Sequence, residues 1–237
     1  MKHVLIVGAS RGIGLEFVRQ YRTDGAAVTG TARDDAGIAR IEALGARALH
    51  LDVLDTAGAT SAASAADAAD ATHTDAQAWP IDGERFDTVV LNAGVFGPRS
   101  SGLQPPTEHE FNAVMHTNVL GAMRLLPQVQ AVLAPGARLA VLSSRMGSMG
   151  LRSNASGWLY RASKAALNSV LKDTSIVLAG RAICVALHPG WVQTDMGGAA
   201  ADIDVATSVA DMRRLLAGLS AADNGGFFNH DGTPLAW

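Results

Sequence analysis

The sequence predicts a doubly wound α/β fold, a parallel sheet with helices on both faces, and three observations predict it. An apolar run, Val4-Leu5-Ile6-Val7, passes directly into the turn Gly8-Ala9-Ser10-Arg11-Gly12-Ile13-Gly14 and then into Leu15-Glu16-Phe17-Val18, which has helical character. Short β-branched runs then keep alternating with helix-like segments to near the C-terminus. Finally, Gly8, Arg33, Asp52, Asn92, Ser144 and Pro189 each sit just beyond an expected strand. In such sheets ligands bind at the C-terminal strand ends.

Each element has its own justification. Residues 4–7 are β-branched and apolar, as a strand buried on both faces requires. Gly8 permits a tight turn, Gly12 a close backbone approach to a pyrophosphate, and Gly14 close packing of helix on strand. The N–H groups opening that helix can hold a phosphate. The spacing is Gly-x3-Gly-x-Gly, which departs from the commoner Gly-x-Gly-x-x-Gly. A second strand is expected at 27–32, a short helix at 38–44 and a third strand at 46–51, ending at Asp52-Val53. Residues 57–71 are alanine-rich, with Ala62, Ala65, Ala66 and Ala69 spaced as a helical packing stripe, and 72–83 read as a polar loop. A fourth strand at 86–91 runs into Asn92-Ala93-Gly94, a helix spans 108–126, and a fifth strand at 138–142 ends in Ser143-Ser144. A helix around Tyr160, a strand at 182–187 and a helix at 205–217 complete the series. With 237 residues and no linker, these elements are expected to form one Rossmann-type domain over 1–237.

The second strand bears on which dinucleotide fits. An acid at its end would hold the ribose hydroxyls of NAD, whereas an arginine suits the 2′-phosphate of NADP. Here the strand ends Thr31-Ala32-Arg33, and Arg11 in the glycine turn is a candidate second cation. NADP(H) is therefore favoured, the guanidinium fork matching phosphate oxygens. Asp34-Asp35 follow at once and could pair with Arg33 or take the acidic role themselves.

Composition narrows the partners. A net charge of −3 with no basic stripe argues against nucleic acid. No apolar segment approaches the roughly 20 residues of a membrane span, and Met1-Lys2-His3 leads straight into a strand, so a cytoplasmic protein is expected. Cys184, the only cysteine, lies in the apolar run Ile183-Cys184-Val185-Ala186-Leu187 and reads as a core residue. The seven histidines show no metal-ligand spacing, and no metal is expected. His188, before Pro189-Gly190, reads as a structural hydrogen-bonder, and Trp158 and Trp191 flank the expected site.

Chemistry is concentrated in Tyr160 and Lys164. Four residues apart on a helix, they share a face and can point into one site. A cation beside a phenol favours phenolate and brings its pKa of about 10 nearer neutrality, where it can act as acid or base.

Taken in order, Gly8-Ala-Ser-Arg-Gly-Ile-Gly14, Leu51-Asp52-Val53, Asn92-Ala-Gly94, Asn118, Ser143-Ser144, Tyr160-x-x-x-Lys164 and His188-Pro-Gly-Trp-Val-Gln-Thr194 resemble the short-chain dehydrogenase/reductase family over essentially the whole length. Arg145-Met-Gly-Ser-Met, Pro189-Gly-Trp-Val-Gln-Thr-Asp-Met-Gly-Gly and the ending in Asp231-Gly232 and Trp237 are similar to its C-factor/sniffer type of carbonyl reductase. The resemblance implies that Asp52 and Val53 contact adenine and that the Asn92-Ala93-Gly94 turn supports the cofactor ribose region. It also implies that the Val192 backbone and the Thr194 hydroxyl hold the nicotinamide carboxamide, and that Pro189 and Gly190 bind the cofactor. Tyr160 would be the proton donor, Lys164 would bind ribose hydroxyls, Ser144 would hydrogen-bond the substrate oxygen, and Asn118 would anchor a water leading from Lys164 to solvent.

The interval from Ser144 to Tyr160 is longer than usual for the family, and Ser148 competes with Ser144 for its role. Ser144 is preferred because it directly ends an apolar strand. Residues 195–202 suggest a short, flexible lid of small residues over an open site. The expected activity is reduction of an aldehyde or ketone; a non-catalytic dinucleotide-binding regulatory or signalling protein is the alternative. The resemblance suggests a dimer or tetramer through the Asn118 and Tyr160 helices, while the short C-terminal region leaves a monomer open.

Overall fold

A computed structural model describes residues 1–54, 81 and 83–237. Seven strands form one sheet in the order β3-β2-β1-β4-β5-β6-β7. They are β1 (His3–Val7), β2 (Ala27–Ala32), β3 (Arg47–His50), β4 (Phe86–Leu91), β5 (Leu133–Leu142), β6 (Ala182–His188) and β7 (Gly226–Asn229). Every neighbouring pair is parallel. The helices are α1 (Gly12–Thr23), α2 (Asp35–Glu42), α3 (Glu108–Met115), α4 (Gly121–Val132), α5 (Trp158–Val177) and α6 (Val205–Gly218).

Alternation along the strands splits the core into two. Val4 and Ile6 of β1 face one side, where they join Phe17 and Val18 of α1 and Val209, Met212 and Leu216 of α6. Leu5 and Val7 face the other, with Leu125 and Val129 of α4 and Leu167 and Leu171 of α5. Strands covered on both faces must be apolar at every position, which is why they read as unbroken hydrophobic runs.

The chain builds outward from β1 to β3, then returns to start β4 on the other side of β1. The connections after β1 and β4 therefore diverge, opening a crevice between the two strand ends. Asn92 Nδ2 donates to Gly8 O at 2.6 Å and closes the floor of that crevice. Gly8 has φ +80°, and a Cβ there would come within 2.8 Å of Ala93 N.

Most expected elements are present, with differences that have physical causes. The helix expected at 38–44 starts earlier because Asp34 caps it, its carboxylate accepting from Gly37 N at 2.6 Å. The helix expected at 108–126 reaches residue 132 and contains a π turn, His116–Leu120, between α3 and α4. Strand β5 begins five residues early. Strand β7, unanticipated, adds four residues, Gly-Phe-Phe-Asn, to the sheet edge. The alanine-rich helix expected at 57–71, and the loop at 72–83 apart from Ile81 and Gly83, lie outside the described residues.

Gly14 gives the sharpest test of this packing. A Cβ there would lie 2.1 Å from Gly8 O, so α1 could not keep its distance from β1. Gly14→Ala is expected to cost about 2–4 kcal/mol in urea unfolding, as overpacking against backbone does. Gly25→Ala, at φ +80° with nothing within 4 Å, is expected to cost about 1–2 kcal/mol from backbone strain alone.

Candidate active site

Three adjoining cavities make one crevice along the strand ends. The first, about 130 Å³, is bordered by Arg33, Val53 and the Gly8 turn. It shares Arg11, Asn92 and Gly94 with a second of about 400 Å³ that reaches Gly12, Thr194, Tyr160 and Lys164. A third, about 430 Å³, opens past Tyr160 and Ser144. Of the residues marked by the sequence, Ser10 and Ala93 border the first cavity, while Ile13 and Pro189 border the second and third. Gly190 and Val192 border the third, and Gly14 packs beneath the turn. Asp52 stands at the strand end, but its carboxylate accepts from Leu54 N at 2.9 Å.

Tyr160 and Lys164 do share a face of α5, and both are buried. The expected lowering of the phenol pKa is not what the fold produces. Burial pushes Tyr160 up to about 12, with the neighbouring Ser144 hydroxyl pulling the other way. Lys164 Nζ lies 5.7 Å from the Tyr160 ring centroid and donates to Leu142 O at 2.7 Å. Burial brings its ammonium down to about 8. An ammonium has three donors, so the single bond to Leu142 O leaves two for a ligand's hydroxyl groups. Together with the glycine cradle and the length of the crevice, those donors fit a dinucleotide.

Asn118 sits in the π turn, a device common at functional sites. Its Oδ1 accepts from Val95 N at 2.8 Å, and its Nδ2 donates to Val95 O at 2.8 Å and Ser163 Oγ at 2.9 Å. Both amide hydrogens are thus committed. Ser144 and Ser148 are engaged differently. Ser144 Oγ caps the short 3₁₀ turn Arg145–Gly147 by accepting from Met146 N at 3.1 Å, and stands beside the phenol. Ser148 Oγ donates to Ala236 O at 2.7 Å and accepts from Leu151 N at 3.0 Å, tying a loop to the C-terminal segment.

These features match a known family. Residues 2–203 fit the family model for short chain dehydrogenases. The chain belongs to the short-chain dehydrogenase family. It is 37% identical over 154 residues to the C-signal of Myxococcus xanthus, a match covering 64% of this chain and 92% of that protein. Among solved structures it resembles the Pseudomonas aeruginosa PAO1 carbonyl reductase in complex with NADP, with 29% identity and TM-score 0.81 over all of both chains. The carbonyl reductase Sniffer of Drosophila melanogaster, 27% identical, matches with TM-score 0.80, again over all of both chains.

As a short-chain dehydrogenase, the chain corrects several readings of its sequence. Arg11 borders the first two cavities, as expected of a cofactor contact, and its Nη1 also donates to Asp195 Oδ2 across the crevice at 2.5 Å. Asp34 caps α2 and Asp35 pairs with His50 at 2.9 Å, so both acids are engaged away from the exposed Arg33. His188 Nδ1 is buried with no partner among the described residues, so the expected structural hydrogen bond is not made by that nitrogen. Its pKa is pushed down to about 4 by burial, then by His230 and Arg145. Trp191 borders the third cavity and donates to Gly197 O at 2.9 Å; Trp158 does not border it. The lid is tied down by Gln193 N to Ile203 O at 2.9 Å, Gln193 Nε2 to Ala201 O at 3.0 Å and Gly198 N to Thr194 O at 2.8 Å. Cys184 is fully buried, as expected. Among the described residues no cluster could hold a metal, and no helix is long and apolar enough to cross a membrane.

Three contributors were missed. Phe96 stacks on Tyr160 with ring centroids 4.5 Å apart, holding the phenol in place. Ser163 Oγ bridges Asn118 to Tyr160 O, donating to the latter at 2.8 Å; its position three residues after Tyr160 was the available signal. Arg40 Nε donates to Ser10 O at 2.8 Å and adds a guanidinium near the Arg33 end.

Lys164 should cost this fold stability. Below pH 8 folded and unfolded chains both carry the proton, and the burial penalty is complete. Between about 8 and the ordinary 10.5 the unfolded chain binds more protons, so stability rises with pH. The penalty is roughly 3 kcal/mol from the shift, offset by about 1 kcal/mol for the bond to Leu142 O. Lys164→Met is therefore expected to raise stability in urea unfolding at pH 7, the advantage disappearing near pH 10.5. A variant less stable than wild type at pH 7 contradicts this account.

Proposed function

We propose that this chain is an NADP(H)-dependent carbonyl reductase interconverting an aldehyde or ketone with its alcohol, Tyr160 being the general acid and base. The observation that carries this reading is a phenol held protonated beside Ser144, where a dinucleotide-sized crevice meets an outer chamber. At neutral pH that phenol keeps its proton. It can still give it up to an alkoxide-like oxygen, whose conjugate acid is far weaker.

A reduced nicotinamide bound along the crevice supplies the hydride to the carbonyl carbon. Ser144 and Tyr160 meet the negative charge growing on the substrate oxygen, and Tyr160 transfers its proton there. The Lys164 ammonium stabilises the tyrosinate left behind and uses its remaining donors on ribose hydroxyls. Asn118 is a positioning residue: with its amide committed to Val95 and Ser163, a water chain from Lys164 would run along the backbone of the π turn. Thr194 and the Val192 backbone hold the carboxamide. Preference for NADP(H) is supported by Arg33, left unneutralised by Asp34 and Asp35, and by Arg40 beside Ser10. The NADP-bound Pseudomonas relative lends further support.

The alternative, a dinucleotide-binding signalling protein without turnover, draws on the C-signal relative. NADPH oxidation followed by absorbance with simple aldehydes and quinones separates the two. Tyr160→Phe is expected to lower kcat by about 10²–10⁴-fold, and Ser144→Ala by about 10²–10³-fold. Ser148→Ala should lower Tm and leave kcat within a few fold; loss of activity from it alone would transfer the substrate-oxygen role to Ser148. NADPH binding with no turnover of any carbonyl favours the signalling reading. Arg33→Glu should raise KM for NADPH about 10-fold or more, with KM for NADH little changed.

A further inference from the structure

The chamber beyond the reacting hydroxyls has walls of two kinds. Phe96, Met146, Leu151, Trp191 and Met196 form an apolar body. Arg99, Arg145 and Arg161 bring guanidinium groups, and no Asp or Glu borders the chamber. Five arginines elsewhere are matched to acids: Arg11 with Asp195, Arg19 with Glu16, Arg47 with Glu84, Arg213 with Asp24 and Arg214 with Asp211. Among the described residues the three chamber arginines have no such partner.

Arg161 is the built part of this arrangement. It is only 7% exposed, with Nε donating to Ser156 O at 2.8 Å and Nη2 to Asn154 Oδ1 at 2.7 Å. Those bonds orient the guanidinium without neutralising it, and Nη1 has no acceptor among the described residues. Arg152 lies near enough to add repulsion. The side-chain stem is buried while the guanidinium head borders the chamber, where an incoming anion would meet a charge with no acid partner among the described residues. Arg145 follows Ser144 in the chain, and both border the chamber. Arg99 lies over the Phe96 ring at 5.5 Å and donates weakly to Met196 O at 3.4 Å.

We propose that the substrate is an anionic carbonyl compound: an aldehyde or ketone on an apolar body, with a carboxylate or phosphate held by Arg145, Arg161 and Arg99. This rests on the reductase reading and deepens it by naming the substrate class. The apolar wall receives the body, while the guanidinium groups offer charge-assisted hydrogen bonds to its anion.

Steady-state kinetics with substrates of one shape test it: 4-carboxybenzaldehyde and 4-formylphenyl phosphate against the neutral methyl 4-formylbenzoate. The anions are expected to exceed the ester in kcat/KM by about 10-fold or more, and the larger of the two ratios identifies which anion the site is built for. Arg145→Gln and Arg99→Gln, both at exposed positions, should each cut the anion-to-ester ratio by about threefold or more, and Arg161→Gln further. Equal efficiency for ester and anions, or ratios unmoved by all three substitutions, overturns the proposal while leaving carbonyl reduction intact. Calorimetric binding of 4-(hydroxymethyl)benzoate against its methyl ester reads the anion site without turnover. Tight binding of the acid alone, lost in Arg145→Gln, supports the site even if every aldehyde proves inert, and that inertness would count against the reductase reading.

Discussion

The contact between Asn92 and Gly8 holds the rest of the site in register. Strands β1 and β4 are neighbours whose following segments must part, and only a short polar bridge can join their ends without filling the gap. Asn92 supplies the bridge, and the missing Cβ at Gly8 lets the Ala93 backbone come close enough for it to form. From that junction the crevice extends outward to Arg33 and inward to Thr194, Tyr160 and Lys164. Strain at this point would displace both ends together, because each is a strand terminus of one sheet.

Burial governs the electrostatics of the reactive end. It raises the phenol and lowers the ammonium, so at neutral pH the acid is protonated and the cation is weakly held. The fold bears this cost at Lys164, whose ammonium is oriented by Leu142 O without being neutralised. Burial without counter-charge is a poor way to stabilise a protein and an effective way to prepare a ligand site.

Legibility differed by element. The glycine turn, β2, β4, β6 and the Tyr160 helix were plain because their signals are local: an apolar run, a turn residue or a helical repeat lies within a few positions. Strand β7 escaped because Gly-Phe-Phe-Asn is too short to show alternation and exists only through pairing with β6. The early start of β5 escaped for a similar reason, Pro135-Gly136 resembling a turn more than a strand. The Arg11–Asp195 pair was not legible because its partners lie 184 residues apart.

By itself the sequence marked the candidate groups for the chemistry and the elements on which they ride, since strand ends, helix faces and glycine turns follow from local backbone preference. Only the tertiary structure decided what those groups do to one another. It set the phenol's proton affinity through burial, put Ser144 beside the phenol and Ser148 against the C-terminal segment, and brought three arginines with no acid partner among the described residues around one chamber. Desolvation and long-range pairing depend on what packs around a residue, and residues distant along the chain supply most of that packing.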